Sequence, residues 1–126
     1  MIEIKFASDN EIKKICDKIG TGYRPELKVY AAVEAGKQLG GCGFFVDSDT
    51  GTLVFTFMNE DGLQMIEDGL LRASLSYMYE NGAEKAVCSG GVSERMLRRL
   101  GFTELDGLMT LDLLHSFLAQ GCSSKQ

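Results

Sequence analysis

Hydrophobic positions along this chain keep two rhythms, and the switches between them predict its elements. In residues 1–6, Ile2, Ile4 and Phe6 alternate with Glu3 and Lys5, the period of a half-buried strand. Ser8 followed by Glu11 has the form of a capping box. It opens a helix with Ile12, Ile15, Cys16 and Ile19 on one face, stopped by Gly20. Residues 20–26 make a loop holding the only proline. Alternation returns over 27–34 and, after a turn at 35–38, over 38–46. Gly40, Gly41 and Gly43 in that third strand predict a bulge or a close approach by other backbone. A turn at 47–51 leads into TLVFTFM (52–58), apolar on both faces as a central strand is.

Beyond Glu60 the spacing becomes three and four, which puts Leu63, Ile66, Leu70, Ala73 and Tyr77 on one face of a long helix. Asp61 reads as its N-cap, with Gln64 completing the box, and Asn81-Gly82 ends it. KAVC (85–88) is a short buried strand. Strand, helix and strand in this order predict parallel neighbours joined by a crossover. Such a unit puts a helix N-terminus at the carboxyl end of a strand, where ligands of open sheets bind. Gly90-Gly91 then break the chain. A short helix follows with Val92, Met96 and Leu100 inward and Gly101 as its cap. Asp106-Gly107 turns into a last strand over 108–113, with a final helical turn at 114–118. The first four strands should form an antiparallel meander. The fold class is therefore α+β, an α/β sandwich with one mixed, mostly antiparallel central sheet and helices on both faces. We expect a single domain over 1–120 and a frayed tail over 121–126.

At 126 residues there is room for one core, burying roughly two-thirds of the chain's surface. A net charge of −5 argues against nucleic acid and anionic membranes, which need a basic surface. No apolar run reaches the roughly 20 residues of a membrane span, and no export signal opens the chain. A soluble, cytoplasmic protein is expected. Cys16, Cys42, Cys88 and Cys122 lack metal-ligand spacing, and His115 is the one histidine, so buried reduced thiols and no metal are expected. Catalytic triads, phosphate-binding P-loops and dinucleotide fingerprints are missing.

Two stretches bear a family likeness. LLRASLSYMYENGAEKAV (70–87), and RMLRRLGF (95–102) followed by LMTLDL, resemble the GNAT acetyltransferase family. Residues 70–87 are similar to that family's long helix and fifth strand. Residues 95–102 resemble its fourth helix, with the habitual Gly-Phe exit, and LMTLDL its sixth strand. The likeness covers roughly residues 1–113 in topology, without space for the family's second helix between Gly20 and Leu27. It implies transfer of an acyl group from acetyl-CoA to an amine, on a small molecule or a peptide. A homodimer is compatible with it.

On that resemblance the coenzyme's diphosphate meets main-chain amides and the helix dipole at the loop entering the long helix. The residues so implicated are Gln64, Met65, Ile66, Glu67, Asp68 and Gly69. The family pattern there is Q/R-x-x-G-x-G/A. Aligned on Leu70-Leu71, Met65 and Glu67 stand where its glycines belong; read from Gln64, Gly69 matches and Glu67 does not. The pantetheine arm would lie along Phe57 and Met58, a main-chain N–H there polarising the thioester carbonyl. Glu60 is the implied acceptor of the amine's proton. Where many members carry a proton-donating tyrosine, this chain has Leu97. Glu60, Asp61, Glu67 and Asp68 also crowd the turn, with no Lys or Arg between Lys37 and Arg72. Each like-charge contact costs a diphosphate about 1 to 4 kcal/mol at a protein surface. Arg95, Arg98 and Arg99 form the one basic cluster across the cleft. The alternative reading is a catalytically silent GNAT-fold binding or regulatory domain that has lost its acetyl-CoA loop.

Overall fold

Strand β4 (Thr50–Met58) runs through the middle of a seven-stranded sheet. The computed structural model describes residues 1–59 and 64–116. The other strands are β1 (Glu3–Phe6), β2 (Lys28–Glu34), β3 (Lys37–Asp47), β5 (Lys85–Cys88), β6 (Thr103–Leu105) and β7 (Leu108–Asp112). They lie in the order β1-β2-β3-β4-β5-β7-β6, antiparallel throughout except for β4 beside β5. The meander, the parallel pair and the α+β class are as expected. Helices are α1 (Asp9–Ile19), α2 (Gln64–Glu80) and α3 (Glu94–Arg99), with a 3-10 turn at Leu113–His115. Residues 21–27 carry no helix.

Local chemistry explains most boundaries. Ser8 and Glu11 close both halves of the capping box at α1, and Gly20 ends it at φ 77°. Gly82 follows α2 at φ 94°, beside Asn81, whose side chain donates to the Tyr77 carbonyl at 2.8 Å. The β3 glycines serve both predicted purposes. The ladder to β4 shifts at Gly43/Phe44, a bulge. A Cβ on Gly43 would lie 2.4 Å from the Phe55 ring, and one on Gly41 2.6 Å from the Phe57 ring. Large β4 side chains thus lie flat on bare β3 backbone.

Two cores cover the two faces. On one, Ile12, Ile15 and Cys16 of α1 pack on Val29 and Phe55. On the other, Leu70, Leu71, Leu75 and Met78 of α2 meet Cys42, Phe44 and Leu53, and α3 adds Met96, Leu97 and Leu100. Several sequence expectations are corrected. The inner stripe of α2 runs through Leu70, Leu71, Ser74, Leu75 and Met78, while Ile66, Ala73 and Tyr77 lie at its flank. The helix is rotated because Tyr77 is drawn sideways into rings with Phe6, Tyr30 and Phe44. Ile19 is 36% exposed at the end of α1, and Val92 is half-buried. β1 is exposed along its whole length rather than half-buried, since it forms one edge of the sheet. β6 is an addition to the expected strands: its three residues are all exposed, and only pairing with β7 makes them a strand. Asp61, Leu63, residues 117–118, Cys122 and the expected tail over 121–126 lie outside the described residues.

Candidate functional site

The site begins where β4 and β5 part. Their pairing ends at Leu53 opposite Cys88. The chain after β5 then bends back, and the Gly91 carbonyl accepts the Thr56 N–H at 3.0 Å. Gly91 has φ 77°, and a Cβ there would lie 2.1 Å from the Val54 carbonyl oxygen, so only glycine fits this crossing. Thr56 therefore turns its main chain away from β3, and strand periodicity turns Met58 the same way. Asn59 donates instead to the Leu39 carbonyl at 2.9 Å, so Phe57, of the same parity, faces β3. Of Phe57 and Met58, only Met58 offers main-chain groups to the open side. Its side chain is half-buried against the larger core.

The first turns of α2 lie beside this open end. Gln64 to Gly69 are all helical, as the three-and-four spacing predicts, where the family resemblance implies a loop. Gln, Met, Ile and Glu are adequate helix formers, and Asp68 binds Arg72 one turn on at 2.8 Å. In a helix the N–H groups of Asp68 and Gly69 donate to Gln64 and Met65, so they cannot serve a ligand. Gly69 instead faces Ile4, whose Cδ1 would sit 3.5 Å from a Cβ at that position. Met65 is 89% exposed, and Ile66 is half-buried on the core.

The acidic residues here are engaged. Glu67, half-buried, accepts the Thr56 hydroxyl at 2.9 Å. Asp68 is held by Arg72. Across from them, α3 starts at Ser93, whose hydroxyl accepts the Met96 N–H. Burial of Met96, Leu97 and Leu100 fixes the rotation of α3 and turns Arg95 and Arg99 toward α2. Arg99 closes a cavity of about 210 Å³ with Gln64, Met65 and Asp68. A smaller one of about 70 Å³ is lined by Gln64, Glu67, Ser93, Arg95, Met96 and Arg99. Arg98 points elsewhere and pairs with Glu94 at 3.0 Å. Leu97, 2% exposed, is plain core. The sequence singles out the arginine cluster but not which members face the helix, and it gives no notice of Thr56, the partner of Glu67. The signal for Thr56 is weak: one hydroxyl in an apolar strand.

Cys16, Cys42 and Cys88 are buried free thiols. Burial pushes each upward in pKa, Cys42 to about 12. His115 is exposed and bonded to Asp112 at 2.9 Å, which holds that carboxyl below its usual range. Among the described residues no thiol or imidazole stands in a nucleophile–base pair. Among the described residues no His, Cys, Asp or Glu group is arranged to hold a metal, and no helix is long and apolar enough to cross a membrane. Glu60 lies outside the described residues.

No family model and no curated protein matches the sequence. Solved structures do match in shape. The ribosomal-protein-S18-alanine N-acetyltransferase of Escherichia coli superposes at a TM-score of 0.74, with 15% identity, covering 90% of this chain and 94% of that one. A GNAT family acetyltransferase from Brucella melitensis, solved with acetyl-CoA, gives 0.67 at 16% identity, covering 89% and 88%. An N-acetyltransferase from Staphylococcus aureus gives 0.67 at 13%, covering 91% and 99%. The chain has the GNAT acetyltransferase fold. At these identities the shared property is the overall architecture. The GNAT order of elements survives here without a second helix after α1.

Proposed function

We propose that this protein is an N-acyltransferase that moves an acyl group, acetyl first among them, from coenzyme A to an amine of a small molecule or peptide. The observation that carries this reading is the placement of Arg95 and Arg99 opposite the first turn of α2, beside the open end of β4. They supply the positive charge that the run from Lys37 to Arg72 lacks. Two of the four carboxylates expected to repel a diphosphate are already engaged, Glu67 by Thr56 and Asp68 by Arg72. The donor set therefore suits a diphosphate: two guanidinium groups, the amides at the start of α2, and the helix dipole. The complex of the Brucella melitensis structure with acetyl-CoA supports the same choice of ligand.

When bound, the coenzyme supplies a thioester whose acyl carbon an amine can attack. This chain's own parts are as follows. Gln64, Met65, Ile66 and Glu67 form the helix start that would meet the diphosphate, with Asp68 and Gly69 behind them. The Met58 N–H would polarise the acyl carbonyl. Glu60, two residues after Met58, is the carboxylate we assign to the amine's proton. Leu97 donates no proton, so departure of the thiol relies on solvent or on the incoming amine's proton. We take residues 1–120 as a single catalytic domain. Its free buried thiols support a reducing, cytoplasmic setting.

A thermal-shift titration tests the reading. Acetyl-CoA at a hundred times its dissociation constant should stabilise the fold by about 2.7 kcal/mol, several degrees in Tm. Absence of any shift at millimolar ligand would leave the silent binding domain in its place. With an acceptor in hand, Glu60→Gln should slow transfer by about a hundredfold or more.

A further inference from the structure

A separate surface stands apart from this site and does not depend on that reading. β1 is an outermost strand, paired on one side to β2. Ala7 donates its N–H to the Val29 carbonyl at 2.9 Å, so residues of its parity, Glu3 and Lys5, face β2 with their main chain. Ile2, Ile4 and Phe6 therefore turn their N–H and C=O groups outward along an edge that no described strand pairs with. Their side chains are 43%, 37% and 45% exposed. Ile4 and Phe6 stand on the α2 face, opposite Ala32 and Tyr30, and the Phe6 ring stacks on Tyr30 at 4.2 Å. The stripe runs on past Gly69 toward Met65, itself 89% exposed.

Edge strands are ordinarily protected by charge. Here Glu3 and Lys5 carry opposite signs at symmetric distances from Ile4, so an antiparallel copy of the strand is its own complement. Main-chain geometry limits the choice, because outward residues must oppose outward residues. A two-fold axis centred on Glu3 sets that carboxylate against the partner's Glu3, and one centred on Lys5 sets two ammonium groups together. Centred on Ile4, the axis puts Glu3 opposite the partner's Lys5 twice and Ile2 opposite the partner's Phe6 twice, with Ile4 against the partner's Ile4. We propose that β1 pairs with β1 of a second copy in this register, fusing the two sheets across an isologous two-fold. The outward N–H and C=O groups of Ile2, Ile4 and Phe6 all find partners, and the exposed apolar stripe is covered on the same face.

Light scattering coupled to gel filtration of the full chain tests this. Wild type should be dimeric. Glu3→Lys and Lys5→Glu each turn both cross-strand pairs repulsive and should raise the dissociation constant by about tenfold or more. Both positions are exposed, so circular dichroism should show the fold intact. The double swap Glu3→Lys/Lys5→Glu restores opposite charges in the same register and should restore the dimer. A monomer at millimolar wild-type concentration overturns the proposal. So does a dimer indifferent to the single reversals, or a double swap that stays dissociated.

Discussion

The two ends of β4 do different work with similar residues. From Thr50 to Leu53 the strand is paired on both sides, to β3 and to β5. Gly51 there lies under Met78, where a Cβ would meet its sulfur at 2.3 Å, and Leu53 is 1% exposed. From Thr56 to Met58 the strand keeps β3 but loses β5; Gly91 takes the Thr56 N–H, and Glu67, which accepts the Thr56 hydroxyl, shares a cavity with Arg95 and Arg99. Pairing on both sides makes the first end a support. Release on one side makes the other end a place where a ligand can borrow main-chain hydrogen bonds. A single strand can do both because the separation falls at its middle.

Substitutions should divide along the same line. Leu53→Ala leaves a cavity in the closed end and should cost about 3 kcal/mol in chemical denaturation, whereas Met58→Ala, half-buried, should cost less than about 1.5. Equal costs would mean that the ends are equally packed. At the junction, Gly91→Ala must hold alanine at positive φ against the Val54 carbonyl, and should destabilise by about 2 kcal/mol. In the open end the effect moves from stability to binding. Arg99→Ala should weaken acetyl-CoA by about tenfold with Tm of the free protein unchanged. Calorimetric titration would show an unaltered affinity if the arginine merely decorates the surface. Thr56→Val removes the hydroxyl held by Glu67 and should cost about 1 kcal/mol, leaving a half-buried carboxylate without that donor.

How far this division is readable in the sequence depends on the range of the interactions. Short-range chemistry is readable: Ser8 and Glu11 cap α1, Gly82 ends α2, and the β3 glycines mark both a bulge and a close approach. Elements stabilised only from outside are not. Nothing in Thr103–Leu105 announces a strand, and the rotation of α2 follows from aromatic contacts with residues far away in sequence. The site suffers most. Counting carboxylates along the chain suggests bare repulsion, because the Thr56–Glu67 bond and the position of Arg95 and Arg99 exist only once three elements converge.

Two buried thiols give the finest probe of the division. Cys42 lies opposite Thr56 in the β3–β4 register, behind the open end, while Cys88 pairs with Leu53 and lines a cavity of about 250 Å³ past the end of β5. Burial holds Cys42 protonated up to about 12, against an ordinary 9.0. Below pH 9 folded and unfolded chains both keep that proton, and it adds no pH dependence. Above 9 only the unfolded chain releases it, so stability should fall as pH rises toward 12. Cys42→Ala should flatten that fall in thermal melts between pH 9 and 11, relative to wild type. At pH 8 a small thiol reagent should label native Cys88 slowly, through its cavity, and Cys42 not at all until denaturant is added. Labelling of Cys42 as fast as Cys88 would mean that the floor behind Thr56 admits solvent, and that the open end of β4 lacks the dry backing its hydrogen bonds require.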